Sequence, residues 1–314
     1  MKVGILGTGF GYYHAILYSK IAAVDAIKIF GRNDEKLRKI EKDLQVATTN
    51  TIDDIILDKE IDLVDICLPS KLHKEYAIKA LENGKDIFCE TPVTLSLEDV
   101  VAIKEAAEKY NKKVFVNMFI KFHEAYQYIY TIKKENTLGK LKALHVRRKT
   151  PHLWGDLSLG TISPNLMIHE FDFVTWLLGM PNKISTLGVN SKDGESHVSA
   201  LLSYDDSLVE VQSSSMMPKS YPFTVAYEAL FEDGTVEYIE NGYENRCERT
   251  LKCFTDKGME VLELSNRDCY EESIKHVIMC FKENIPSLLS IDDAIDSLNV
   301  ALTIRDLILP SLSK

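Results

Sequence analysis

The chain has 314 residues, 45% of them hydrophobic, and 47 acidic against 37 basic side chains give it a formal charge of -10. That length suits two domains of ordinary size, each with a core of its own. The negative balance argues against a sequence-independent grip on nucleic acid or on an anionic membrane, both of which need clustered Lys and Arg, so the expected ligand is a small molecule. The six cysteines form no C-x-x-C pair, and Cys67 and Cys89 fall in apolar runs, which predicts reduced, buried thiols. Glycines interrupt the N-terminal apolar run, no small-residue cleavage site follows it, and no segment approaches the roughly 18 apolar residues of a membrane span. A cytoplasmic protein with no nucleic-acid or membrane partner is expected.

In chain order, "KVGIL", "AIKIF", "LVDICL", "DIFCE" and "KVFVNM" alternate with amphipathic stretches such as "NDEKLRKIEKDL" and "SLEDVVAIKEAAEKY". This alternation predicts repeated β-α-β units around a parallel sheet, an α/β Rossmann domain over residues 1–120. From about Met118 the pattern changes. A helix ("HEAYQYIYTIKKEN") leads to a strand ("KLKALHVRRK") and to a helix from Pro164 to Leu178. Several strand-like runs then lie between Lys183 and Leu264, separated by "EDG" and "ENG" turn signals. Two closing helices begin near Tyr270 and Asp292, the second capped by Ser290. Residues 121–314 therefore read as a second, α+β domain, with no repeat and no low-complexity linker before it.

The run "VGILGTGFGYYHA" places Gly7, Gly9, Phe10 and Gly11 directly after the first strand and at the mouth of a helix. Gly7 permits a tight turn, and Gly9 lets the backbone approach a pyrophosphate held at the helix N-terminus. Tyr12 occupies the usual third position of G-x-G-x-x-G, which predicts a helix set slightly farther from the sheet. About twenty residues on, where an acid on the ribose 2'-hydroxyl would signal NAD, the second strand ends in Gly31, Arg32 and Asn33. A guanidinium there suits a 2'-phosphate and NADP, with NAD possible; the alternative is a solvated Arg32 paired with Asp34 or Glu35.

"VDICLPSKLHKEYAIKALENGKDIFCETP" (Val64 to Pro92), "TLGKLKAL", "NLMIHEFDFVTWLLGMP" (Asn165 to Pro181) and "EALFEDGTVEY" (Glu228 to Tyr238) together resemble the Gfo/Idh/MocA oxidoreductases across nearly the whole chain. The resemblance implies a Rossmann domain followed by a domain built on a large, mostly antiparallel open sheet, and hydride transfer between NAD(P) and a sugar, polyol or related carbonyl. It also implies cofactor contacts at Pro69, His73 and Glu90. The family's catalytic set is the lysine of Glu-Lys-Pro with an aspartate and a histidine four residues apart. The matching positions are Thr91, Asn165 and His169, so two of the three have lost an ionisable group. Losing a cation and an anion together leaves no unpaired buried charge, which describes a different site and not a damaged one.

Asn165, His169 and Asp172 fall at i, i+4 and i+7, one polar stripe on an apolar helix. His169 is the candidate for proton transfer, against the alternative of a core histidine bonded to a carbonyl. Lys121, after the last Rossmann strand, is the candidate to supply the missing cation, against a surface lysine at a domain junction. His73 could equally serve the helix start. Arg147 to Asp156, with three cations and Trp154, reads as a pocket rim. No metal is expected, because His169 lacks the second histidine of a zinc helix. The second sheet, with few helices to cover it, predicts a homodimer or a dimer of dimers. Rival readings are a dinucleotide-binding sensor or assembly protein that turns nothing over, and an enzyme that uses the nicotinamide transiently for elimination.

Overall fold

A computed structural model describes residues 1–152 and 155–309. It divides into two compact units: residues 1–119 with 268–295, and residues 120–267 with those from 296 onward.

The first unit is built on a six-stranded parallel sheet. In chain order its elements are β1 (Lys2–Leu6), α1 (Phe10–Tyr18), β2 (Ala26–Phe30), α2 (Asp34–Leu44), β3 (Ala47–Thr49), α3 (Asp53–Ile56), β4 (Leu63–Ile66), α4 (His73–Glu82), β5 (Asp86–Cys89), α5 (Leu97–Tyr110) and β6 (Val114–Val116). The strand order is β3-β2-β1-β4-β5-β6, so the order reverses between β1 and β4. Every residue of β4 and β5 is buried, as central strands covered on both faces require. The helix starts follow capping chemistry. Asn33 accepts the Lys36 N–H at 2.9 Å to open α2, and Ser96 accepts the Asp99 N–H to open α5.

In the second unit, α6 (Glu124–Glu135), β7 (Leu141–Pro151) and α7 (Ile168–Leu178) come first. They are followed by β8 (Lys183–Asn190), β9 (Ser196–Ser203), β10 (Leu208–Met217), β11 (Phe223–Phe231), β12 (Thr235–Gly242), β13 (Cys247–Thr255) and β14 (Gly258–Leu262). These eight strands form one sheet in the order β14-β13-β12-β11-β7-β10-β9-β8, antiparallel at every pairing except β10 with β7. The large, mostly antiparallel sheet implied by the resemblance is thus present. Val198, Ala200 and Leu202 point into the core, while Leu201 shares the opposite, open face with Leu187 and Val189. Leu187 is 78% exposed, and Met259 and Val261 on the far edge strand are also exposed on this face.

The last two helices are α8 (Cys269–Glu283) and α9 (Ile291–Ile308). Asp268 caps α8 by accepting the Tyr270 and Glu271 N–H groups, and Ser290 accepts the Asp293 N–H at 3.1 Å. The segment between them pairs alongside β6, with the Val116 N–H donating to Leu289 O at 3.0 Å. All six cysteines are free; Cys89, Cys253 and Cys280 are buried, whereas Cys247 at the start of β13 is exposed. Among the described residues no helix is long and apolar enough to cross a membrane.

Candidate functional site

In the first unit, the turn from β1 into α1 fits a dinucleotide. Gly7 has φ +119°, and a Cβ there would lie 2.5 Å from Cys67 O, so only glycine is tolerated. Gly9 precedes α1, and a Cβ on it would meet nothing within 4 Å, which leaves open space in front of the helix's first N–H groups. A Cβ on Gly11 would lie 2.8 Å from Ile5 Cγ2 and 3.3 Å from Cys67 Cβ. Gly11 therefore sets the close helix-to-sheet approach, and the wider spacing expected from Tyr12 does not occur. Phe10 is exposed at the helix start, one face toward Tyr270, which stacks on Phe119 with centroids 4.2 Å apart.

Gly31, Arg32 and Asn33 at the end of β2 include no acid, and a side chain at position 31 would require its neighbours to shift. A Cβ on Gly31 would lie 2.6 Å from Thr8 Cγ2 and 3.0 Å from Leu37 Cδ2. Arg32 is exposed, as a solvated arginine would be, and no ion pair joins it to Asp34 or Glu35 among the described residues. Asn33 spends its side-chain oxygen on the α2 cap.

The turns after β4 and β5 are joined by His73. Its Nε2 lies 2.6 Å from Leu68 O, and its Nδ1 lies 3.1 Å from Pro92 O. Burial lowers its pKa, so the ring is a neutral brace between backbone segments. Pro69 opens the short turn Ser70–Leu72, and Thr91 is half-buried before a cis peptide bond to Pro92. Glu90 Oε1 accepts from Asn117 Nδ2 at 2.5 Å and lies 3.1 Å from His14 Nε2, while the Thr91 N–H contacts Oε2 at 3.4 Å. Asn117 Oδ1 in turn accepts the Ser273 hydroxyl at 3.0 Å. On its other side, His14 Nδ1 lies 2.8 Å from Asp65 Oδ2, with Cys67 Sγ 3.5 Å away.

Burial works to strip the His14 proton, but Asp65 and Cys67 outweigh it and raise its pKa well above the usual value. Burial likewise works to raise that of Glu90, but hydrogen bonding and charge from His14, the Asn117 amide and the Thr91 N–H hold the carboxyl below its usual range. His14, Asp65 and Cys67 carry metal-ligand donor atoms within 4.8 Å of one another; the short Nδ1 to Oδ2 contact is that of a proton-bridged pair. Sequence reasoning missed this cluster, whose one local signal is a histidine among the apolar residues of α1.

In the second unit, Lys121 is no surface residue. Its Nζ lies 3.1 Å from Asp172 Oδ1, and neither side chain has any exposure. Arg148 Nε donates to Glu170 Oε1 at 2.7 Å, also in the core. His169 is half-buried; burial, and then the Arg148 charge, lower its pKa to about 3, so the imidazole is neutral. Asn165 donates from Nδ2 to Asp156 O at 3.0 Å. The expected polar stripe is broken because residues 163–167 form a wide π-type turn before α7, and because Asp172 is drawn to Lys121. The rim of three cations is also corrected. Side chains alternate along β7, so Arg147 and Lys149 share the open face with His145, and Arg148 points inward. Trp154 lies outside the described residues.

Residues 1–118 match the family model of the Gfo/Idh/MocA oxidoreductases, described as an oxidoreductase family with an NAD-binding Rossmann fold. Over these residues the chain is similar to the Rossmann domain of that family. Among curated relatives, the 2,7-anhydro-N-acetylneuraminate hydratase of Escherichia coli K12 is 32% identical over 201 residues, 60% of this chain and 53% of that protein. The myo-inositol 2-dehydrogenase of Thermotoga maritima is 26% identical over 184 residues, 57% and 55% respectively. The chain's match thus spans about half the length of these curated relatives. In fold, it resembles UDP-N-acetylglucosamine 3-dehydrogenase from Acidithiobacillus ferrooxidans with a TM-score of 0.84 at 21% identity, covering 98% of this chain and 97% of that one.

Proposed function

We propose that the protein is an NADP-dependent oxidoreductase that moves hydride to or from a sugar-like or other small carbonyl or hydroxyl compound, with a non-standard catalytic set. The observation that carries the cofactor preference is the end of β2, where Gly31 stands in place of a ribose-binding acid and Arg32 is exposed. Gly7, Gly9, Phe10 and Gly11 would hold the pyrophosphate against α1, Arg32 the 2'-phosphate, and the turns carrying Pro69 and Glu90 the nicotinamide end. When bound, the nicotinamide supplies the hydride acceptor or donor.

His169 is the proposed proton-transfer residue. Its low pKa keeps the resting ring neutral but makes it a weak base, so bound substrate must raise that pKa before the ring takes up a hydroxyl proton. Asn165 would orient it without supplying charge, and Thr91 would offer one neutral hydrogen bond. Lys121, closed off against Asp172, fixes the position of α7 in this reading. We assign residues 1–120 to cofactor binding and residues 121–314 to substrate binding and oligomerisation. A cytoplasmic homodimer or dimer of dimers is proposed, supported by the apolar open face around Leu187, Val189 and Leu201.

A second reading is favoured by the hydratase among the relatives. In it, the nicotinamide would be reduced and reoxidised within one turnover during elimination or hydration, with no net change in cofactor. Incubation with NADPH and a panel of keto-sugars and dicarbonyls separates the two, since only the first reading consumes nicotinamide absorbance. NADP(H) should bind about tenfold to a hundredfold more tightly than NAD(H), equivalent to about 1.5 to 3 kcal/mol for the charge-assisted pair. Equal affinities, or a preference retained in Arg32→Ala, would overturn the assignment.

A further inference from the structure

Dinucleotides lie across the carboxyl ends of the strands at the point where strand order reverses, here between β1 and β4. The adenosine half turns toward β2, so the nicotinamide half extends over the ends of β4 and β5. Glu90 directly follows β5, and its side chain keeps 12% exposure. Oε1 is taken by His14 and Asn117, whereas Oε2 receives the long Thr91 N–H contact.

Beneath it runs a line of charges: the Glu90 carboxylate, the His14 ring and the Asp65 carboxylate, the last two fully buried. The neighbouring thiols of Cys67 and Cys89 are pushed up by burial and stay neutral, and the phenol of Tyr18 is kept protonated by burial and by Asp65. With His14 holding its proton, two anions and one cation leave one net negative charge. Because the cation sits in the middle, the end nearest the cofactor is an anion.

We propose that the Asp65–His14–Glu90 line makes the protein hold the oxidised form of its nicotinamide cofactor more tightly than the reduced form. The two forms share every other group, but the oxidised ring carries a positive charge that the reduced ring lacks, and only a differential interaction can shift the balance between them. A single anion at the rim of a half-desolvated site gives on the order of a tenfold ratio, which for a two-electron couple is about 30 mV toward a more reducing bound cofactor. The proposal rests on the dinucleotide-dependent reading. It suits both reactions considered there, since it sharpens hydride donation by the reduced form and holds the resting cofactor oxidised.

The test is a pair of titrations on the full chain, with NADP+ followed by calorimetry and NADPH by nicotinamide fluorescence. Wild type should bind NADP+ about tenfold more tightly. Glu90→Gln keeps the shape and an acceptor oxygen but removes the anion, so the ratio should collapse toward one. A wild-type ratio of one or below, or a ratio unchanged in Glu90→Gln, removes the proposal while leaving the dinucleotide reading standing. Failure of wild type to bind either form removes both.

Discussion

Two histidines, one in each unit, meet opposite electrostatic surroundings. His14 stands between two carboxylates and is driven to hold its proton, whereas His169 stands half-buried near an arginine and is driven to give it up. Burial pushes both rings toward neutrality, so the signs of the neighbouring charges decide the outcome. The lesson is that neither histidine's role follows from its type or its depth. In the first unit the ring is part of a fixed charge line; in the second it is a neutral group that can still change state.

The largest effect should separate those roles. His169→Ala should lower turnover by about a hundredfold to ten-thousandfold while leaving NADP(H) affinity nearly unchanged. Steady-state rates beside a binding titration check it, and undiminished turnover would return His169 to the core. Next comes the buried pair of the second unit. Lys121→Met, which leaves Asp172 charged without its cation, should cost about 3 to 5 kcal/mol of stability, and adding Asp172→Leu should restore most of it. Denaturant melts that show both variants equally weak would mean that the pair does more than neutralise itself.

Acid titration of stability sharpens the contrast further. For His169 the folded pKa, about 3, lies below the unfolded value. The unfolded chain therefore binds the extra proton between about pH 3 and 6.5, and stability from this residue falls as pH drops through that window. For His14 the folded pKa is raised, so its contribution is complete below the unfolded value and is lost as pH climbs through the folded one. Melting temperatures across pH should therefore flatten on the acid side in His169→Gln and on the alkaline side in His14→Gln. The smallest effect is expected at Thr91→Ala, where loss of one neutral hydrogen bond should cost about 1 kcal/mol in transition-state binding. A loss as large as that of His169→Ala would move the chemistry to the hydroxyl.

Much of the fold could be read before any coordinates, because it rests on local rules. The strand and helix alternation, the glycine turn and the caps at Ser96 and Ser290 each need only a few neighbouring residues, as does the start of α8 near Tyr270. What stayed hidden depends on contacts made across the chain. Asp65 and His14 are 51 residues apart and meet only once β4 lies beside β1. Lys121 looked like a junction residue because nothing nearby reveals that α7 will bring Asp172 to it. The break in the Asn165 to Asp172 stripe required a π-type turn, which periodicity at 3.6 residues cannot show. The return of residues 268–295 to the first unit carries no marker in composition.

Gly31 also constrains how this protein could change over generations. Replacing Arg32 alone would remove a cation without installing the acid that a ribose hydroxyl needs, and an aspartate at position 31 would press its Cβ against Thr8 and Leu37. An acid at position 31 therefore calls for Thr8 or Leu37 to give way or for a shift of α2. The proposed NADP preference is tied in this way to the packing around Gly31, which makes Thr8 the first position a directed-evolution library should open.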